Sequence, residues 1–294
     1  MIHLCAVSDY NFLAKGLALY QSLQKTSKQF VLHYLCFDKE SFEKLKEHEC
    51  GSLRVYSDEM FNDPQLAKLK EEDRKYYSYT LASYFTNYLL NHNKCDITYI
   101  DSDVYFHDDV SCVLQEIGSK EVGIFRHRQY PMNIPNGNGW FNVGVVHFKH
   151  TPVGKHVLGW WSDAVLHRKH SELATCGDQR YLDAFLEVPP ERLFIDGDVG
   201  HGAPWQWFLY NFDSYAEDGY ITWGDVKQKL IFSHFSQFEY SLDGDSYVPS
   251  TMHHIYTPMQ MYTENVGLKK IYDDYFQVIK SVSKSYGLHK RKSL

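Results

Sequence analysis

Nothing in this chain of 294 residues approaches the roughly 18 continuous apolar residues that a membrane-spanning helix needs. The N-terminus opens directly on a short strand-like run, without the basic flank and apolar stretch of a secretory leader, so a cytoplasmic protein is expected. Cysteine is sparse and scattered. Cys5, Cys36, Cys50, Cys95, Cys112 and Cys176 form no CxxC pair, which argues against a zinc site and against a disulfide frame. Positive charge is also in short supply: the net charge is −7, and the only basic cluster is His289-Lys290-Arg291-Lys292. Nucleic acid is therefore not expected as a partner. That tail follows a helical spacing of apolar residues (Leu268, Ile271, Tyr272, Tyr275, Phe276, Ile279, Val282), leaving two readings. One is a solvated terminus; the other is weak peripheral contact with the anionic inner face of a membrane. There is no internal repeat, no low-complexity tract and no dinucleotide-type GxGxxG.

What the chain has in quantity is aromatic surface, 16% of residues, with 23 Tyr and 6 Trp. Such rings fill half-wet cores, and they also stack on sugars and nucleobases. Hydrophobic content of 44% with 23% charged residues is that of an ordinary folded domain.

The order of elements is an alternation. Residues 2–7 read as a buried strand, and Leu13, Leu17 and Tyr20 carry helical spacing after it. Between them lies Ser8-Asp9-Tyr10-Asn11, at a strand's C-terminal end, where ligands collect in open α/β sheets. A strand at Phe30–Cys36, a charged helix from Lys39 to His48 and a strand at Leu53–Tyr56 repeat the pattern. A helix with Leu81, Tyr84, Phe85, Tyr88 and Leu89 on one face then leads into the apolar run Ile97-Thr98-Tyr99-Ile100. Strands are expected at Glu121–Phe125, Val143–Phe148 and Leu230–Phe232, and helices at Val153–Arg168 and Gln179–Glu187. The stretch Pro131–Gly139 reads as a long loop, and long loops in compact domains tend to be functional. The fold class expected is α/β: a mostly parallel central sheet flanked by helices, one domain over 1–262, with a C-terminal helix and basic tail over 263–294.

Asp101-Ser102-Asp103 is the strongest local signal, because two carboxylates interrupt apolar segments on both sides. Spaced by one residue at a strand end, they can offer oxygens to a hard cation such as Mn²⁺ or Mg²⁺. Asp-x-Asp alone is a weak pattern. Asp196-Gly197-Asp198 and Asp243-Gly244-Asp245 repeat it where a turn explains it better. His234, just past the apolar run Leu230-Ile231-Phe232, could complete an oxygen-rich site with imidazole nitrogen or could be a core histidine. Trp140, Trp205, Trp207 and Tyr210 are candidate stacking platforms, whereas Trp160 and Trp161 suit a helix core. The glycines of Gly200-His201-Gly202-Ala203-Pro204-Trp205 could admit a ligand to the backbone or form an ordinary tight loop.

Taken in order, Leu4-Cys5-Ala6-Val7 with Ser8-Asp9, Tyr76 to Leu81, Asp101-Ser102-Asp103, Phe141-Asn142-Val143-Gly144, Gly177-Asp178-Gln179 and Ser233-His234-Phe235 resemble the GT-A fold glycosyltransferases. The likeness is to the retaining family 8 enzymes, such as glycogenin and bacterial lipopolysaccharide galactosyltransferases, and to related bacterial nucleotide-diphosphosugar transferases. It spans roughly residues 1–240. It implies a Rossmann-like GT-A domain that moves sugar from a nucleotide-diphosphosugar, a UDP-sugar by preference, to a glycan or lipid-linked glycan. By the same resemblance Asp101, Asp103 and His234 would hold Mn²⁺ or Mg²⁺. Val7, Asp9, Thr80 and Ser102 would join the aspartates around the nucleotide. Asn142, Gly144, Trp140, Asp178 and Trp205 would meet the donor and acceptor sugars, with Asp178, Gln179 and Asn142 nearest the chemistry.

One departure stands out. Family 8 members usually carry a Gly and a Lys shortly after the metal histidine to grip the phosphates, and here Ser236-Gln237-Phe238-Glu239-Tyr240 follows instead. Gln237 and Tyr240 are the local substitutes to consider. Two other function classes compete: a catalytically silent sugar- or nucleotide-binding module on the same fold, and a metal-dependent nucleotidyltransferase. The first should have lost an aspartate or the histidine. The second should open on a Gly-rich, basic phosphate loop, which Ser8-Asp9-Tyr10-Asn11 is not.

Overall fold

The computed structural model describes residues 1–128, 138–196 and 200–289. Most of the Pro131–Gly139 loop, Gly197-Asp198 and the basic residues Lys290 to Lys292 lie outside them. The strands are β1 (Ile2–Ser8), β2 (Phe30–Cys36), β3 (Leu53–Ser57), β4 (Ile97–Ile100), β5 (Val104–Phe106), β6 (Val122–Arg126), β7 (Phe141–Phe148), β8 (Leu193–Ile195), β9 (Gly200–Gly202), β10 (Tyr220–Trp223), β11 (Val226–His234), β12 (Glu239–Ser241) and β13 (Ser246–Val248). The helices are α1 (Leu13–Thr26), α2 (Lys39–Lys46), α3 (Pro64–Glu72), α4 (Arg74–Asn93), α5 (Ser111–Ile117), α6 (Pro152–Leu166), α7 (Tyr215–Asp218), α8 (Met259–Glu264) and α9 (Val266–Ser285). A 3₁₀ helix, not an α-helix, occupies Gln179–Glu187.

Seven strands form the central sheet in the order β3-β2-β1-β4-β7-β6-β8. β1 pairs in parallel with β2 and β4, and β2 with β3, while β7 runs antiparallel to both β4 and β6. The continuous apolar character of β2 and β4, every residue of which is buried, follows from helices covering both faces. A second, smaller sheet joins β10, β11 and β5, with β9 parallel to β11. It begins only three residues after β4 ends, so a single short turn passes from one sheet to the other.

Gly16 sets α1 flush on the sheet: a methyl group there would lie 1.7 Å from the Tyr34 hydroxyl. α9 belongs to the same body. Leu268, Ile271, Tyr272, Tyr275, Phe276, Ile279 and Val282 are all buried in the core they share with α1 and β11. The Tyr275 ring stacks on Phe235 at 3.7 Å, and Tyr272 accepts a hydrogen bond from the Trp207 indole. The apolar face that could have met a membrane is thereby committed to packing. Among the described residues, no helix is long and apolar enough to cross one.

Candidate functional site

A cleft of about 720 Å³ opens where β1 and β4 end, in the place a parallel sheet favours. Its floor is the turn between β4 and β5. The Asp101 amide donates to the Gly144 carbonyl at 2.9 Å, the Val104 amide to the Asp101 carbonyl, and the Phe235 amide to the Asp103 carbonyl at 2.8 Å. β5 then pairs antiparallel with β11, setting His234 opposite Val104. Backbone register alone thus delivers two aspartates from one sheet junction and a histidine from a distant strand to one point.

Their ligand atoms lie within 4.8 Å of one another. His234 Nε2 stands 3.0 Å from Asp103 Oδ1 and 3.6 Å from Asp101 Oδ2. On the far side of the ring, Nδ1 lies 3.0 Å from the Asn142 side-chain oxygen, which also accepts from the Gly144 amide. Asn142 is itself oriented by donating to Gln179 Oε1 at 2.9 Å, and Gln179 donates to the Asn138 carbonyl. With Asn142 accepting, His234 must donate from Nδ1, which turns Nε2 toward the aspartates. That is how a second layer of hydrogen bonds fixes a metal-ligating imidazole. A buried set of two carboxylates and one aimed nitrogen fits Mn²⁺ or Mg²⁺.

The charges of Asp101, Asp103 and His234 depend on one another. Burial disfavours the charged imidazole, yet Asp103 and Asp101 outweigh it and raise the His234 pKa. Burial likewise opposes the Asp103 carboxylate, but the His234 charge and hydrogen bond, with help from Lys15, hold its pKa low. Asp101 goes the other way, raised by burial and by repulsion from Asp103 against the pull of His234. Tyr99 donates to Asp101 at 2.7 Å. Asp178, on the opposite wall, is raised well above the usual carboxylate range by burial and then by the Asp101 charge.

Val7, Asp9, Asp101, Ser102, Asp103, Asn142, Asp178, Gln179, Trp205 and His234 all line the cleft. Three other expected residues stand off its wall. Thr80 is fully buried inside α4 and donates to the Tyr76 carbonyl, because a hydroxyl in a helix interior finds its own preceding turn. Ser78, Tyr79 and Ala82 take its place on the wall. Gly144 is a packing glycine: an added methyl would meet Asn142 Oδ1 and His234 Nδ1, each at 2.6 Å. Trp140 is exposed outside the cleft and is held through its amide to Asp183. Trp207 and Tyr210 are buried core residues, and Tyr240 packs on Phe238 away from the cleft.

The two rival Asp-x-Asp pairs have other work. Asp196 is buried between Arg128, Arg126 and His201, and Asp243-Gly244-Asp245 makes the β12–β13 turn. Gly200 and Gly202 are required by packing, since methyl groups there would strike the Lys229 carbonyl and the Trp207 ring. Their segment carries Trp205 to the cleft, where it stacks on His127 at 4.5 Å and meets His234 edge-on. Sequence reasoning passed over Lys15, Arg74, Lys75, Tyr99 and His127, all on the cleft wall. Nothing in the local sequence around Lys15 or Arg74 marks either as a cleft residue, and Tyr99 sits inside an apolar strand run.

No family model matches the chain. The Bacillus subtilis (strain 168) protein YfnF, described as uncharacterized, is 29% identical over 251 residues, covering 80% of this chain and 80% of its own. Among solved structures, galactosyltransferase LgtC in complex with donor and acceptor sugar analogs aligns over 97% of this chain and 100% of its own at 12% identity, with a TM-score of 0.57. An LgtC active-site mutant with glutamate in place of glutamine aligns over 80% of this chain and 87% of its own, also at 12% identity, with a TM-score of 0.55. Apo mouse xyloside xylosyltransferase 1 aligns over 80% of this chain and 97% of its own at 15% identity, with a TM-score of 0.52. By architecture, then, the chain has the GT-A fold of glycosyltransferases, similar to that of the family 8 type.

Proposed function

We propose that this protein is a metal-dependent glycosyltransferase that moves a sugar from a nucleotide-diphosphosugar, a UDP-sugar by preference, to a hydroxyl of a glycan or lipid-linked glycan, with retention. The observation that carries the reading is the convergence of Asp101, Asp103 and a tautomer-locked His234 on the floor of a large cleft in a GT-A fold. Asp101, Asp103 and His234 would hold Mn²⁺ or Mg²⁺. When bound, such a cation supplies Lewis-acid stabilisation of the charge left on a departing diphosphate.

The chain's own residues divide the remaining tasks by position. Val7, Asp9 and Ser102 form the nucleotide end, where Asp9 caps the turn after β1 and sits 3.8 Å from Arg74. Asn142 and Gln179 are bonded to each other beside the metal residues, so they present a pre-set amide pair to the transferred sugar. Retention is supported by the resemblance to family 8, and Asp178, whose buried carboxyl faces the same space, can order sugar hydroxyls. Trp205, with Tyr256 beside it, offers an aromatic wall to an acceptor sugar.

The test is a thermal-shift panel of UDP, GDP, CDP and dTDP with and without Mn²⁺. A ligand at a hundred times its dissociation constant adds about 2.7 kcal/mol of stability. A shift for one nucleotide, only with metal present, is the expected result. No shift for any of them would return the cleft to a silent module.

A further inference from the structure

The lysine missing after His234 has a physical consequence for the proposed reaction. Asp101 and Asp103 together carry the charge that balances a divalent cation, so the site they make is close to neutral once loaded. A diphosphate breaking away from a sugar gains negative charge, and a further cation beside the metal residues would stabilise it beyond what the metal itself supplies.

We propose that Lys15, from the first turn of α1, is that cation, and that it grips the departing diphosphate of the donor; the proposal rests on the glycosyltransferase reading. Its ammonium is 3.9 Å from Asp103 Oδ2, and its side chain is only 7% exposed. At that distance the two charges attract without a direct hydrogen bond between them. The Phe235 amide bonds the Asp103 carbonyl, so Lys15 and the segment that follows His234 adjoin the same aspartate. Ser236, Gln237 and Glu239 of that segment line the cleft along with Lys15. Lys15 thus brings a positive charge to the same wall as the segment that lacks one.

The placement of Lys15 is enforced. Gly16, its neighbour, presses α1 against Tyr34, and Tyr34 is bonded to Ser8 at the end of β1, so the helix cannot withdraw from the strand end. The Phe12 ring lies 4.8 Å from the ammonium and covers it. Burying a lysine is costly unless a negative partner justifies the charge. The two other lysines and arginines among the described residues of the cleft lining do not compete for the role. Arg74 has a side chain 54% exposed, with its guanidinium over Phe37 and beside Asp9 at the nucleotide end, and Lys75 is exposed.

The proposal separates the second phosphate from the first, and that gives it a test independent of turnover. Calorimetry with Mn²⁺ present would compare the nucleoside diphosphate that stabilises the unaltered protein with the monophosphate of the same base. Lys15→Met, which keeps the stem and removes the charge, should lose ten- to a hundredfold of diphosphate affinity, while monophosphate affinity changes less than about threefold. Lys15→Arg should stay within a few fold of the original for both. Mn²⁺ affinity measured without nucleotide should be unchanged or tighter in Lys15→Met, because a positive neighbour of Asp103 is gone. Lys15→Gln serves in the same way should the methionine variant fail to fold. Unchanged diphosphate affinity, or equal losses for Mn²⁺, monophosphate and diphosphate, would reduce Lys15 to a prop for Asp103 and overturn the proposal. If the unaltered protein binds no nucleoside diphosphate, the donor-site reading falls and this proposal with it.

Discussion

His234 illustrates how little of a candidate ligand's orientation is set by the residue itself. Asn142 decides which of its nitrogens faces the aspartates, so Asn142→Leu should weaken Mn²⁺ binding by about 10- to 100-fold with little loss of melting temperature. Titration calorimetry checks this, and unaltered Mn²⁺ affinity would mean that the tautomer is set elsewhere. Asp103→Ala should abolish sugar transfer from the donor identified by nucleotide binding, in a protein that still melts cooperatively; full activity in the folded variant would remove Asp103 from the site. The letters Asp101, Asp103 and His234 were legible because carboxylates and imidazole beside buried strands have few other uses. Asn142 was singled out by the resemblance alone, since a hydrogen bond across strands leaves no trace in spacing. Lys15 was not legible at all, because a lysine in the first turn of an amphipathic helix looks solvated until the packing of Gly16 shows that it is not.

Strands and helices long enough to repeat a period were readable, and β1, β2, α1, α4 and α9 fell where their apolar residues predicted. The small sheet was not. β5 and β9 have three residues each, too few for any alternation to register, and β11 extends well before its apolar part with Val226 and Lys227 exposed. That sheet nonetheless supplies the histidine, which meets β7 at Asn142 and against the bare backbone of Gly144. Gly144→Ala should push Asn142 and His234 apart, lowering metal-dependent nucleotide affinity at least tenfold while costing about 1–3 kcal/mol of stability; affinity equal to the original would show that the strands can shift to admit the methyl. α9 offers a contrasting pair. The Tyr275 ring is stacked on Phe235, yet its hydroxyl is buried without a hydrogen-bond partner. Tyr275→Ala should therefore cost about 3–5 kcal/mol, whereas Tyr275→Phe should be neutral or stabilising. Chemical denaturation distinguishes them, and a strongly destabilised Tyr275→Phe would reveal a partner for the hydroxyl.

Acid should unfold this chain from an unusually high pH. Burial holds His33 and His147 down to about 4 and His107 to about 3, each below its ordinary value of 6.5. Once the pH falls below about 6.5 the unfolded chain takes up protons there that the folded chain refuses, so stability present above that value is lost progressively toward pH 4. Each histidine contributes a slope of about 1.4 kcal/mol per pH unit in that window. Metal-free melting temperature should accordingly fall between pH 6.5 and 5, before paired carboxylates titrate, and a flat profile there would contradict the buried, neutral state of these rings. The wide separation of the metal residues along the chain bears on synthesis as well as on stability. Asp101 and Asp103 leave the ribosome long before His234, and Tyr275, which braces the residue after it, emerges later still. A nascent chain therefore has the three residues of the candidate site together only once β11 has been made, and a fragment ending before β11 would lack His234 even if its central sheet had folded.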